Sequence, residues 1–194
     1  MAAKILVFSG SIRTGSFNTK LAKAAIKVLA EQGAEVTEIS LVDYPLPIMD
    51  EDLEAEKGVP ENAVKLARLF QAHDGLFIAC PEYNASIPPL LKNTLDWISR
   101  VKSSSDGDIK PYPGLHVGLG AASPGALGGM RGLYHVRAVL MTVGTQVVSE
   151  QASISAAHNA FGDDDMPKDE RQLNALKNTC RSLLQHVTEG RGRA

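Results

Sequence analysis

Ser9-Gly10-Ser11-Ile12-Arg13-Thr14-Gly15-Ser16-Phe17-Asn18 is the stretch from which the rest of the chain can be placed. The four hydrophobic residues 5–8 lead directly into it and are typical of a buried strand. After it, apolar side chains recur at i, i+3, i+4, i+7 and i+8, the spacing of one helical face. These side chains are Leu21, Ala24, Ala25, Val28 and Leu29. The pattern predicts a strand, a tight polar loop and a helix, in that order.

The polar loop has the composition of a phosphate site. It combines two glycines, three hydroxyl side chains beyond Ser9, one arginine and one asparagine. A helix N-terminus carries unpaired N–H groups and about half a positive charge, so it attracts anions. An ordinary helix cap at Ser16 or Asn18 is the alternative, but a cap needs one such residue and this loop has five. The loop therefore predicts anion binding.

The order of residues in the loop limits which phosphate it suits. It lacks the G-x-x-x-x-G-K-[ST] pattern of triphosphate-binding loops. It also lacks the G-x-G-x-x-G pattern that binds the pyrophosphate of a dinucleotide. A compact, hydroxyl-rich loop instead predicts a terminal monophosphate, such as that of a mononucleotide.

Composition predicts one domain over residues 1–194, with a frayed tail at 190–194. The chain is 44% hydrophobic and 22% charged, and its net charge of −2 lacks the basic stripe that nucleic-acid binding requires. No stretch reaches the length of an apolar membrane span, and the N-terminus lacks a signal-peptide pattern, so we expect no membrane partner.

Cysteine and histidine usage adds two expectations. Cys80 and Cys180 form no C-x-x-C pattern, and two reduced thiols favour a cytoplasmic location. The five histidines are not at metal-ligand spacing, and the acidic run 163–165 is interpreted as a solvated loop. The sequence therefore predicts no metal.

Strand and helix patterns alternate along the rest of the chain. Strands are predicted at 35–41, 74–80, 115–122 and 146–154, and helices from Pro60, over 90–101, around 133–140 and around 173–187. Residues 42–57 form a long acidic loop, for which a lid, an interface and surface filler all remain open. This alternation predicts an α/β, three-layer, flavodoxin-like fold. Its five-stranded parallel sheet has the order 2-1-3-4-5, with helices on both faces.

Three loops rich in glycine, serine, proline and asparagine follow strands one, three and four. Those strands are neighbours in the predicted order, and ligands of such folds bind beyond the carboxyl ends of the strands. The second loop, from Pro81, offers an aromatic ring and an amide on a rigid backbone. The third, from Ser123, has almost no side chains, so its backbone can approach a flat ring. The three loops are expected to form one crevice.

Two motifs resemble those of the NAD(P)H-dependent FMN reductase family. The first loop is similar to that family's G-S-x-R-x-x-S-x-N pattern. Residues 81–97 resemble its P-x-Y-N-x-S-x-P-x-x-L-K-N-x-L-D-W signature, through Pro81, Tyr83, Asn84, Ser86, Pro88, Leu91, Lys92, Asn93, Leu95, Asp96 and Trp97, with Glu82 beside them. The resemblance spans most of residues 4–150 and is specific because both motifs occur together.

The resemblance implies bound FMN and positions for its parts. The FMN phosphate would contact Ser11, Arg13, Ser16, Phe17 and Asn18. The isoalloxazine edge would lie along Pro81, Glu82, Tyr83 and Asn84, mainly against backbone groups, and the third loop would border the ring with Ser123, Gly125 and Gly128. The third loop is the least regular match.

The resemblance also implies an activity. NAD(P)H would deliver hydride to flavin N5, and a quinone, flavin, chromate or azo compound would then take its place in a ping-pong cycle. The cofactor carries this chemistry, so no catalytic side chain is expected. Tyr83 is a candidate acid, with packing against the ring or a partner subunit as the alternative. Homodimers or homotetramers are implied by the family alone.

Two other classes of function remain as alternatives. A flavodoxin-like electron carrier would bind FMN without a substrate, but Arg13 and the low net charge are unlike such carriers. A serine hydrolase would use Ser123 in a near match to G-x-S-x-G, with Asp163 and His186 following. Pro124 argues against it, because proline lacks the N–H that the oxyanion hole needs.

Overall fold

A five-stranded parallel sheet organises the computed structural model, which describes residues 1–104 and 107–191. Its strands are β1 (Lys4–Ser9), β2 (Glu35–Ile39), β3 (Gly75–Ala79), β6 (His116–Ala122) and β7 (Gln146–Ile154). Two short strands, β4 (Ser103–Ser104) and β5 (Gly107–Asp108), form a separate antiparallel pair. The helices are α1 (Phe17–Glu31), α2 (Glu51–Lys57), α3 (Glu61–Ala72), α4 (Pro89–Arg100), α5 (Met130–Thr142), α6 (Ala157–Ala160) and α7 (Glu170–Arg191).

The strand order β2-β1-β3-β6-β7 confirms the predicted topology. With the separate pair β4 and β5 left out, it is the flavodoxin-like order 2-1-3-4-5. All four neighbouring pairs are parallel. The carboxyl ends of β1, β3 and β6 therefore meet at one edge of the sheet, where the three loops begin.

The two faces of the sheet bury separate clusters because strand side chains alternate. Leu6 and Phe8 of β1 pack with α3, α4 and α5. Ile5 and Val7 pack with α1 and α7 on the opposite face. This arrangement confirms the three-layer prediction and explains why β1 and β3 are apolar throughout.

The acidic segment 42–57 is not one irregular loop, and that expectation was wrong. Leu41–Asp43 is a 3₁₀ turn, and Glu51–Lys57 is helix α2. Asp50 begins α2, because its Oδ1 accepts hydrogen bonds from the N–H groups of Asp52 (2.9 Å) and Leu53 (3.4 Å). The helix buries none of its residues, so hydrophobic periodicity did not reveal it.

Helix α4 holds the stretch before α2 in place. The Pro47 carbonyl accepts hydrogen bonds from Asn93 Nδ2 (2.9 Å) and Trp97 Nε1 (2.8 Å). Asn93 Oδ1 also accepts from the Met49 N–H at 2.7 Å. Two residues of the L-K-N-x-L-D-W motif thus have a structural role.

The C-terminal part contains more helix than the sequence indicated. Residues 157–160, which lie between the predicted strand 146–154 and the predicted helix around 173–187, form α6. Helix α7 extends to Arg191, so residues 190–191 of the expected frayed tail are helical, and residues 192–194 lie outside the described residues. Within residues 1–104 and 107–191, no helix has both the length and the apolar character needed to cross a bilayer.

Arg137 supports an irregular stretch of β7. The pairing passes from Val117↔Val147 to Leu119↔Gln151, so β7 has extra residues at this point. Arg137 Nη1 donates to the carbonyls of Val147 (3.3 Å) and Val148 (2.8 Å), and Nη2 donates to Gln151 Oε1 (3.3 Å). The guanidinium therefore donates hydrogen bonds to backbone carbonyls of β7 at the point where its pairing with β6 is irregular.

We expect Arg137→Met to lower the free energy of unfolding by about 1–3 kcal/mol, because carbonyls of the irregular stretch lose a charged donor. Urea unfolding followed by circular dichroism measures this change. Arg181→Met is the matched control, since Arg181 is exposed and bonds to Asn178 on its own helix. Equal losses in the two variants would contradict the assignment.

Candidate functional site

Three loops meet at the carboxyl edge of the sheet. Loop 1 (residues 10–16) follows β1, loop 2 (residues 80–88) follows β3, and loop 3 (residues 123–129) follows β6. Loops 1 and 2 are in direct contact, since a Cβ built on Gly10 lies 3.1 Å from Pro81 Cδ. The expected convergence of the three loops is confirmed.

Loop 1 is a series of small turns that ends in a helix cap. Ser9 Oγ accepts from the Ser11 N–H (3.1 Å), and Ser11 Oγ accepts from the Arg13 N–H (3.3 Å). Ser16 caps α1 by accepting from the Asn18 N–H at 3.2 Å. The helix cap and an anion site are thus not mutually exclusive, because Ser16 accepts from only one of the N–H groups at this end.

Several backbone donors of loop 1 remain available. Among the residues that the structure describes, the N–H groups of Thr14, Gly15 and Phe17 have no protein acceptor. Gly15 has a φ of +68°, and a Cβ built on it would meet nothing within 4 Å. Unpaired donors around an open, side-chain-free position at a helix N-terminus fit an anion.

Arg13 supplies a full positive charge beside these donors. Its guanidinium folds back over the loop, donating from Nη1 to the Thr14 carbonyl (3.0 Å) and from Nη2 to the Gly15 carbonyl (3.4 Å). It also lies 5.8 Å from the centre of the Phe17 ring, within cation–π range. Arg13 is exposed, so the charge faces the open side of loop 1.

Asn18 has a contact that the sequence did not reveal. Its side chain is 4% exposed, and its Nδ2 donates to the Ala122 carbonyl at 3.0 Å. The Ala122 N–H donates back to Asn18 Oδ1, also at 3.0 Å. Asn18 therefore ties the start of α1 to the end of β6, beside loop 3.

Loop 2 contains a tight turn with unusual backbone angles. Tyr83 and Ser86 exchange two backbone hydrogen bonds of 3.0 Å. Between them, Asn84 and Ala85 have φ values of 51° and 65°. Positive φ values at both central residues of a two-residue turn indicate type I′ geometry, which is strained for alanine.

Glu82 points away from the open side of loop 2 and towards α5. Its Oε1 accepts from Arg131 Nη2 (2.6 Å) and Nε (2.9 Å), and its Oε2 accepts from the Gly132 N–H (3.1 Å). Burial acts to raise the pKa of Glu82, but the bonds from Arg131 and Gly132 outweigh it and hold that pKa below its ordinary value. Glu82 is therefore a paired carboxylate.

Cys80, at the start of loop 2, is buried and reduced. Burial, with the nearby charge of Glu82, raises the pKa of its thiol to about 12. Cys80 is thus a protonated packing residue and no nucleophile.

Loop 3 approaches the sheet as bare backbone. Ser123 is held by its N–H, which donates to the Ile154 carbonyl at 3.0 Å, while its Oγ accepts from the Gly125 N–H at 3.3 Å. Gly128 and Gly129 have φ values of 58° and 87°. A Cβ on Gly129 would lie 2.6 Å from Ala121 Cβ, so neither the angle nor the space admits a side chain.

The structure brings all the predicted site residues to this one edge. Side chains that bond within the protein are those of Ser11, Arg13, Ser16, Asn18, Glu82 and Ser123. Arg13 and Tyr83 are exposed. Contact of any of them with a cofactor stays a prediction. The sequence reasoning missed Arg131 and His135, whose four-residue spacing places them on one face of α5.

The serine hydrolase alternative is excluded by distance along the sheet. Ser123 follows the last residue of β6, whereas the His186 ring lies 6.0 Å from that of His116, the first residue of β6. Seven strand residues rise by about 3.3 Å each, so the histidine lies at the opposite end of the strand.

The edge fits a ligand with a phosphate and a flat ring. Loop 1 offers free N–H donors and a cation, and loops 2 and 3 add backbone groups at the same edge. Glu82 brings no unpaired carboxylate to it. Among the described residues, no group of three His, Cys, Asp or Glu side chains converges to hold a metal ion.

Comparisons with known proteins agree with this geometry. A sequence model of the NADPH-dependent FMN reductase family matches residues 3–159. A quinone reductase of Escherichia coli (strain K12) is 35% identical over 148 residues, covering 76% of this chain and 74% of the relative. An NAD(P)H-dependent FMN reductase of Pseudomonas aeruginosa is 30% identical over 191 residues, covering 97% of each chain.

A solved structure has the same fold. FerB, a flavoenzyme NAD(P)H:(acceptor) oxidoreductase from Paracoccus denitrificans, superposes with a TM-score of 0.77 at 24% identity. The match covers 97% of this chain and 99% of that one.

We expect Asn18→Ala to lower the free energy of unfolding by about 1–3 kcal/mol, because the buried N–H and carbonyl of Ala122 lose their partners. Urea denaturation measures the loss. Asn159→Ala, at an exposed position of α6, is the control and should stay near the wild type. A wild-type midpoint for Asn18→Ala would show that the two bonds contribute nothing.

Proposed function

Because the chain belongs to the NADPH-dependent FMN reductase family, we propose that the crevice between loops 1, 2 and 3 is where hydride passes from NAD(P)H to a small-molecule acceptor. The chain is an oxidoreductase that uses FMN and NAD(P)H. When bound, FMN supplies a ring whose N5 takes up and releases hydride. The observation that supports the placement is the set of unpaired N–H groups in loop 1, beside Arg13.

The residues of loop 1 would bind the phosphate. Thr14, Gly15 and Phe17 would donate backbone N–H groups, the Ser11 hydroxyl would add a side-chain donor, and the Arg13 guanidinium would add charge-assisted bonds. Asn18 and Ser16 would act mainly by fixing the loop against α1 and β6. Loop 1 thus binds and orients, and it moves no proton.

Loops 2 and 3 would enclose the ring. Pro81, Tyr83 and Asn84 would present backbone on one side, and Ser123, Gly125 and Gly128 would border the other. Glu82 cannot serve as a general acid while Arg131 holds it ionised. Tyr83 is half exposed and remains a candidate acid or a packing surface.

The acceptor would follow NAD(P)H into the same opening, which gives a ping-pong cycle. Relatives named quinone reductase make a quinone the first acceptor to test. Free flavin, chromate and azo compounds are further proposed acceptors. A homodimer or homotetramer is also proposed, since Ile12, Tyr83 and Leu127 expose about half of an apolar side chain on each loop. The two free, buried cysteines support a cytoplasmic location.

Steady-state oxidation of NADPH separates an enzyme from an electron carrier. We expect the yellow, FMN-loaded protein to bleach with NADPH and to regain its colour when a benzoquinone is added. Parallel initial-rate lines at several quinone concentrations would support the ping-pong order. Negligible NADPH oxidation by the FMN-loaded protein would contradict the proposal and favour the carrier.

We expect Arg13→Ala to weaken FMN binding about 10- to 100-fold, because a charge-assisted bond contributes about 1.5–3 kcal/mol. Quenching of FMN fluorescence by the apoprotein measures the dissociation constant. Arg181→Ala removes an exposed charge from α7 and should leave it unchanged. Wild-type FMN affinity in Arg13→Ala would place the phosphate elsewhere.

A further inference from the structure

Helix α5 begins without a cap of its own. Its N-cap is Gly129, which has no side chain, and its first turn contains no acidic residue. The N–H groups at such an end attract negative charge. Glu82, 50 positions earlier in the chain, provides it by accepting from the Gly132 N–H at 3.1 Å. Loop 2 therefore caps the helix that follows loop 3.

Arg131 completes this contact from the helix side. It bonds to Glu82 Oε1 through both Nη2 (2.6 Å) and Nε (2.9 Å), while the Glu82 side chain is only 8% exposed. A buried carboxylate is costly unless it is paired and hydrogen-bonded. Arg131 and the Gly132 N–H together provide these partners, so Glu82 holds a fixed rotamer and a neutralised charge.

A second contact joins the same two elements one helical turn away. Ser86 Oγ lies 2.8 Å from His135 Nδ1. The helix approaches loop 2 closely because residue 132 is glycine: a Cβ there would lie 3.2 Å from both Glu82 Cβ and the Ser86 carbonyl oxygen. The two contacts flank the strained turn at Asn84 and Ala85. They restrain both ends of that turn.

We propose that Arg131 is a positioning residue of the flavin site, which holds the Glu82 carboxylate against α5 so that loop 2 keeps its turn and presents no unpaired negative charge to the ring. This inference rests on the proposed placement of loop 2 beside FMN. Without Arg131, a carboxylate in a half-buried loop would oppose the gain of negative charge by a nearby ring. The pair thus acts on the reduction potential as well as on loop geometry.

Substitution of Arg131 and substitution of Glu82 should shift the reduction potential of bound FMN in opposite directions. At pH 8, well above the range in which carboxyl groups titrate, Arg131→Met leaves a net negative charge and should lower the reduction potential of bound FMN. Glu82→Gln leaves a net positive charge and should raise it. The double variant removes both charges and should return the potential towards the wild type. A merely structural role would move stability without this alternation of sign.

The test measures the potential of the FMN-loaded protein and the dissociation constant of FMN in all three variants. We expect Arg131→Met to weaken FMN binding about tenfold, in addition to lowering the potential. Arg100→Met is the matched control: it breaks another arginine–glutamate pair, with Arg100 Nε 2.7 Å from Glu54 Oε2, between α4 and α2. The control should leave the potential and the FMN affinity unchanged.

Potentials that shift in the same direction for Arg131→Met and Glu82→Gln, or that do not shift, overturn the proposal. If Arg131→Met does not fold, Glu82→Gln decides alone, since a potential equal to that of the wild type contradicts it. Arg13→Ala distinguishes failure of the proposed role of Arg131 from failure of the proposed FMN site. Weak FMN binding in Arg13→Ala with unshifted potentials rejects the role of Arg131 only, whereas wild-type binding in Arg13→Ala rejects the proposed site.

Discussion

The backbone of Ala122, at the end of β6, exchanges two buried hydrogen bonds with the amide of Asn18, at the start of α1. β3 lies between β1 and β6 in the sheet, so this contact spans a whole strand. It sets the position of the α1 N-terminus over the centre of the edge. The start of α1, and loop 1 before it, thereby lies beside the end of β6, where loop 3 begins. Chain topology brings the loops to one edge, and this amide fixes their relative positions.

Charge is distributed over the edge in a way that suits an anionic cofactor. Arg13 and the start of α1 make loop 1 positive. The carboxylate of loop 2, Glu82, is turned to Arg131 and the start of α5. Two helix N-termini thus serve different purposes: one remains open to a ligand, and the other is closed by a residue of the protein itself. Glycines contribute at both ends: Gly15 leaves the space beside the start of α1 open, and Gly132 lets α5 approach loop 2 closely.

The fold could be predicted from sequence because its signals are local. Apolar runs such as residues 75–79, glycine-rich turns after them and helical stripes predict the alternating strands and helices, and the strand order was taken from the flavodoxin-like fold that this alternation favours. Helix α2 was missed because none of its residues is fully buried, and only the Asp50 cap marked its start. A short exposed helix of this kind has no hydrophobic period to detect.

The site was predictable only in part, because its decisive contacts are long-range. The family resemblance implied that Asn18 contacts the phosphate, but nothing local shows that its amide reaches Ala122, 104 positions away. Glu82 was placed on the ring edge by its motif, and its partner Arg131 had no signal beyond a glycine-rich stretch. Polar residues that bind a ligand and those that hold the loops are of the same types, so the sequence alone does not separate the two roles.

The proposed binding of the FMN phosphate by loop 1 is tested most directly by comparing FMN with riboflavin, which lacks that phosphate. Fluorescence titration of the apoprotein with each compound gives the two dissociation constants. We expect FMN to bind roughly 100-fold more tightly than riboflavin, since the phosphate gains charge-assisted bonds from loop 1. Equal affinity for the two compounds would contradict it.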